Sequence, residues 1–155
     1  MIPHTLQPQS TETQRKYQIL LIEDDPAEIY LTQDALDGGE LSSSIALQVA
    51  IDGRQARDLL MKPEPNVITP DLILLDLHLP YVNGYDLLEE IKGDHTLKNI
   101  PVIILTSSVS DEAIAQTYRL NANGYLSKPV GGEALNEVIR LFKNYWVPQR
   151  LRGAR

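Results

Sequence analysis

The stretch PDLILLDLHLP, Pro70–Pro80, decides how the rest of the chain is read. Leu72, Ile73, Leu74 and Leu75 follow one another without a polar break, and Asp76 comes next. A strand with one wet face alternates apolar and polar residues. An unbroken apolar run belongs to a strand covered on both faces. An ionised carboxylate at the end of such a run is costly in a dry interior. Asp76 must therefore stand at the mouth of the core, be paired, or bind a cation.

Similar runs lie on either side. YQILLI (17–22), SIALQVA (44–50), DLILLD (71–76), IPVIILTS (100–107) and NGYLS (123–127) read as strands. Between and after them, PAEIYLTQDALDGG (26–39), DGRQARDLLM (52–61), GYDLLEEIKG (84–93), SDEAIAQTYRL (110–120) and GGEALNEVIRLFKNYW (131–146) read as helices. Pro26 suits a first helical turn after an Asp25 cap, and Ser110 suits the start of the fourth helix. Leu135, Val138, Ile139, Phe142 and Trp146 fall on one side of the last helix. Five strands alternating with five helices predict an α/β fold: a doubly wound, five-stranded parallel sheet with helices on both faces.

A chain of 155 residues suits one domain, and 43% hydrophobic residues suffice for its core. Residues 1–16 are polar and expected to form a flexible arm, 17–147 the folded domain, and 148–155 a short basic tail. The absence of cysteine excludes disulfides and thiolate metal sites and fits a reducing cytoplasm. No apolar stretch approaches the roughly 20 residues of a membrane span, and the N-terminus lacks an apolar signal core. A net charge of −7 argues against nucleic-acid binding.

In a doubly wound sheet, ligands bind beyond the carboxyl ends of the strands. The first strand ends at Glu23, Asp24 and Asp25, the third at Asp76, and the fourth at Thr106, Ser107 and Ser108; Lys128-Pro129 follows the fifth. Each alone has an ordinary explanation: Asp24 or Asp25 as a helix cap, Asp76 as a turn residue, Thr106 as a β-branched strand residue, Lys128 as a solvated surface lysine. Together at one sheet edge they describe a site. Crowded carboxylates resist ionising unless a cation relieves them, and Mg²⁺ prefers oxygen ligands. A carboxylate beside Mg²⁺ is suited to attack a phosphoryl group. Lys128 supplies a balancing cation and Thr106 a hydroxyl donor. The isomer of the Lys128-Pro129 bond stays open.

The segments ILLIEDDP, DLILLDLHLPYVNGYDLL, IPVIILTSS and ANGYLSKPV resemble the CheY-like receiver domain of two-component response regulators. The resemblance implies that Asp76 accepts phosphate from a histidine kinase. It also implies that Glu23, Asp24, Asp76 and the backbone carbonyl of His78 hold Mg²⁺, and that Thr106, Lys128 and Tyr125 bind or report the phosphoryl group. The side chains of His78 and Ser108 fall where the family tunes phosphoryl lifetime; for His78 the backbone is expected to matter most. EDDPAEIYLTQDAL, LKNIPVIILTSS and a last helix ending in Tyr145-Trp146 are most similar to the single-domain regulators of cyanobacterial phytochromes. That finer likeness implies a phytochrome-type kinase and a homodimer through the fourth helix, fifth strand and fifth helix, with Tyr145 and Trp146 at the interface. The implied protein is cytoplasmic, catalyses only its own phosphorylation and dephosphorylation, and signals to an unidentified downstream protein.

Two other functions compete. A Mg²⁺-dependent aspartyl-phosphate phosphohydrolase would carry a second Asp two residues after the nucleophile, where this chain has His78. Nothing in the sequence supports a phosphate-insensitive receiver-like scaffold, since every core site residue is present, and a labelling test is what excludes it.

Overall fold

The computed structural model describes residues 15–61, 69–107 and 110–144. The strands are β1 (Tyr17–Ile22), β2 (Ile45–Ala50), β3 (Leu72–Asp76), β4 (Val102–Thr106) and β5 (Gly124–Ser127), and the helices are α1 (Pro26–Asp37), α2 (Gly53–Met61), α3 (Gly84–Gly93), α4 (Asp111–Arg119) and α5 (Gly132–Lys143). They form the expected parallel sheet, in the order β2-β1-β3-β4-β5. Asp25 caps α1 by accepting from the Ala27 amide, with Pro26 in the first turn, and Ser110 caps α4 by accepting from the Ala113 amide. The second strand begins at Ile45 because Ser42–Ser44 form a 3-10 turn ahead of it.

Every residue of β3 and β4 is buried, as an unbroken apolar run requires. One face packs Ile19, Leu21, Leu72, Leu74, Ile103 and Leu105 against Leu36 of α1 and Leu135 and Ile139 of α5. The other packs Leu20, Ile22, Ile73, Leu75, Val102 and Ile104 against α2 and α3. Each fully buried Leu or Ile contributes about 1.5–3 kcal/mol over an exposed one. β5 alternates in burial because it is an edge strand: Leu126 faces the α1–α5 layer, while Tyr125 remains 38% exposed. The arm over residues 1–16, Ser108, Tyr145, Trp146 and the tail over 148–155 fall wholly or largely outside the described residues.

The segment between β3 and α3 holds the end of the Leu-rich strand in place. The Gly84 amide donates to the Leu77 carbonyl at 3.1 Å. A Cβ on Gly84 would lie 2.5 Å from the Leu77 Cα and 2.6 Å from its carbonyl oxygen. Only glycine permits this approach. Gly84→Ala is expected to destabilise the protein by about 1–3 kcal/mol in chemical denaturation; an unchanged midpoint would contradict so tight a turn.

Candidate functional site

Parallel strands deliver their carboxyl ends to one edge, and the predicted residues meet there. The Glu23 amide extends the β1–β2 ladder by donating to the Ala50 carbonyl at 3.0 Å, which fixes Glu23 just past the strand. Its side chain is buried. Asp25 next accepts from Ala27 N at 2.9 Å and so serves as the α1 cap, while Asp24 is left exposed at the mouth. The cap explanation thus belongs to Asp25.

Asp76 ends β3 and is 4% exposed. Its Oδ1 accepts from the His78 amide at 3.2 Å and lies 3.3 Å from Lys128 Nζ. The same ammonium donates to Glu23 Oε1 at 2.6 Å. The Lys128 amide donates to the Thr106 carbonyl at 2.9 Å, so β4 positions the lysine, whose bond to Pro129 is cis. Glu23, Asp24 and Asp76 each place a carboxylate oxygen within 4.8 Å of the others.

Thr106 is buried and does not line the cleft. Register places it one residue past Leu105, the β4 partner of Asp76. Alternation along β4 puts it on the face of Val102 and Ile104, opposite the α1–α5 layer. Tyr125 pairs with Ile104 and Ser127 with Thr106. Tyr125 and Thr106 therefore share a sheet face as diagonal neighbours. The structure brings Glu23, Asp24, Asp76 and Lys128 together directly and sets Thr106 and Tyr125 beside them.

The cleft has a volume of ≈ 410 Å³ and is also walled by Glu28, Ser107 and His78. Sequence reasoning did not single out Glu28 or include Ser107 in the site. Both follow from topology: Glu28 lies in the first turn of the helix after β1, and Ser107 directly follows β4.

Five carboxylates, from Glu23, Asp24, Asp25, Glu28 and Asp76, line the cleft with the one ammonium of Lys128. Burial raises the Glu23 carboxyl to a pKa of about 7; the Lys128 ion pair opposes this and the Asp76 charge adds to it. Burial works against the Lys128 charge, but Glu23 and Asp76 outweigh it and hold its pKa above the usual value. An all-oxygen donor set with one exposed carboxylate and an excess of negative charge fits a hard divalent cation.

Residues 19–140 match the family described as the response regulator receiver domain. The chain belongs to this family. Receivers are the signalling modules of two-component phosphorelays, and this chain is a response regulator. It is 34% identical to the response regulator Rcp1 of Synechocystis over 83% of this chain and 88% of that protein. It is 35% identical to the probable methanogenesis regulatory protein FilR2 of Methanothrix harundinacea, over 88% of this chain and 87% of that one. The crystal structure of the phosphorylated cyanobacterial phytochrome response regulator RcpA superposes with a TM-score of 0.70 at 35% identity, covering 84% of this receiver and 94% of RcpA. Rcp1 itself has been solved with Mn²⁺ bound, at a TM-score of 0.69, 34% identity and coverage of 84% and 94%. The receiver has no helix, among its described residues, long and apolar enough to cross a membrane.

A carboxyl with a pKa near 7 holds a proton that a metal must displace. Mg²⁺ affinity is therefore expected to rise with pH, by about tenfold between pH 6 and pH 8. Isothermal titration calorimetry across that range checks it, and a flat profile would mean that Lys128 already keeps Glu23 ionised at pH 6.

Proposed function

We propose that Asp76 is the phosphoacceptor of this response regulator. The observation that carries the reading is the Asp76 carboxylate held at the cleft by Lys128 and the His78 amide, beside Glu23 and Asp24. Both of those contacts fall on Oδ1, which leaves Oδ2 for bond formation. In transfer from a phosphohistidine, Oδ2 attacks phosphorus as the P–N bond breaks, and the electron pair leaves on the donor nitrogen. Glu23, Asp24, Asp76 and the His78 carbonyl would hold Mg²⁺, which would supply charge neutralisation for the phosphoryl oxygens. Lys128 then exchanges part of its pairing with Glu23 for a phosphoryl oxygen, adding positive charge where the transition state needs it.

The Thr106 hydroxyl is one residue from the β4 partner of Asp76 and turns to donate to the new phosphoryl group. Tyr125 shares its sheet face and moves inward in response, so a local charge change reaches the α4–β5–α5 surface. Hydrolysis by water returns the site to its starting state, and this self-catalysed cycle is the only chemistry required. The donor is a histidine kinase of phytochrome type in the cytoplasm, a reading supported by likeness to RcpA. Output passes through protein contacts to a downstream partner.

Homodimerisation through α4, β5 and α5 is supported by exposed Tyr118, Tyr125 and Leu141. Leu141 lies on the flank of α5 away from Asn136 and Arg140, which face the α1–β2 segment through Ala35 and Glu40. Leu141→Glu is expected to weaken the dimer by tenfold or more, read by light scattering across a concentration series, with about 1.4 kcal/mol corresponding to each factor of ten. An unchanged dimer would move the interface elsewhere.

Incubation with Mg²⁺ and acetyl phosphate tests the acceptor. A phosphoryl adduct by intact mass that requires Mg²⁺ and vanishes in Asp76→Asn is expected. A protein that takes no adduct would turn the reading toward a phosphate-insensitive scaffold.

A further inference from the structure

Two exposed residues beside the site each break a local rule. Tyr81 has φ 72°, in the left-handed region that glycine or asparagine enters at little cost and tyrosine does not. The residue is 72% exposed, so core packing does not hold it there. Arg54 occupies the first turn of α2, where the positive end of the helix dipole disfavours a cation. The two residues meet. The guanidinium carbon of Arg54 lies 3.6 Å from the centroid of the Tyr81 ring, close enough for cation–π attraction. Where two neighbours both depart from local preference, the contact between them is the place to look for a role.

The surroundings give the contact leverage. Gly53, next to Arg54, approaches Val82, next to Tyr81, so closely that a Cβ on Gly53 would lie 2.4 Å from the Val82 Cβ. Consecutive residues of the α2 start thus grip consecutive residues of the β3–α3 turn. The α2 start is itself well fixed: Gln55 N donates to Asp52 Oδ1 at 2.8 Å, and Ile51 N donates to Gln55 Oε1 at 2.8 Å. Across the turn, Val82 N donates to the Pro80 carbonyl at 2.8 Å, making a γ-turn whose central residue is Tyr81. Such a turn is sparsely populated unless its surroundings hold it. On its N-terminal side the same short segment carries His78, whose amide donates to Asp76 Oδ1.

We propose that Arg54 and Tyr81 are positioning residues for phosphoryl transfer: their stacked pair holds the β3–α3 turn in the conformation that keeps the His78 amide on the Asp76 carboxylate. Neither side chain touches the reacting atoms. The inference rests on the reading of Asp76 as phosphoacceptor. Loss of the stack frees the γ-turn to relax and lets the carboxylate leave its attack orientation, so the loss falls on the maximal rate and not on phosphodonor binding.

The test uses the full chain, assayed at temperatures well below each variant's unfolding midpoint. Rates of adduct formation are measured against acetyl phosphate concentration at saturating Mg²⁺. Arg54→Ala and Tyr81→Leu are each expected to lower the maximal rate about threefold with the half-saturating phosphodonor concentration unchanged. Tyr81→Phe keeps the ring face and the wild-type rate. The double variant Arg54→Ala/Tyr81→Leu is no slower than the slower single variant, because both remove one interaction. Wild-type rates in both single variants would overturn the proposal, as would additive losses in the double variant or a Tyr81→Phe protein as slow as Tyr81→Leu. A wild-type protein that forms no adduct on Asp76 would instead overturn the phosphoacceptor reading, and this inference with it.

Discussion

Lys128 is the ammonium in a cleft lined by five carboxylates, and the rest of the site depends on how it is shared. It is 2.6 Å from Glu23 and 3.3 Å from Asp76. Glu23 is buried, and burial disfavours its charged form, with the nearby Asp76 charge adding to the effect. The rise of Glu23 toward a pKa of about 7 is the cost expressed as a proton. A divalent cation relieves it, and Lys128 opposes it for as long as it stays paired with Glu23. Replacing the set with apolar residues would remove that strain and leave nothing to switch.

The fold creates this crowding. β1, β3 and β4 lie side by side and end together, so residues 23, 76 and 106 reach one edge although about fifty positions separate the first two. Alternation along the strands divides the labour. Asp76 ends a strand whose Leu72 and Leu74 face the α1–α5 layer, while Thr106 and Tyr125 lie on the opposite face. Asp76 and the Thr106–Tyr125 pair are thus on two sides of one sheet, joined through the β3–β4 ladder. Gly84 and Tyr81, with its positive φ, close the turn that follows Asp76.

Much of this was legible in the residues. The unbroken runs in β3 and β4 announced a sheet covered on both faces, and the strand ends named Glu23, Asp24, Asp76, Thr106 and Lys128, because strand-end chemistry is local in sequence. The division of roles between Asp24 and Asp25 was open until the Ala27 amide was seen to donate to Asp25. Glu28 was passed over and Ser107 was placed at the end of the fourth strand without a role, because their place in the wall depends on how α1 and the β4 end pack against the cleft. The Arg54–Tyr81 contact was invisible for a deeper reason: it joins the first turn of α2 to the β3–α3 turn, 27 positions away, through a positive φ at a residue type that carries no turn signal. Alternation in β5 reflects its edge position, which a four-residue strand is too short to declare.

The most direct measurement of the central claim is fluorine NMR of the protein with Mg²⁺ and beryllofluoride, in which the BeF₃ group on a carboxylate stands in for the phosphoryl group. The account predicts bound fluorine resonances in the wild type that require Mg²⁺, are absent in Asp76→Asn, and shift in Lys128→Met. Bound resonances that persist in Asp76→Asn would contradict it, because the anion would then be held somewhere other than the end of the Leu-rich strand.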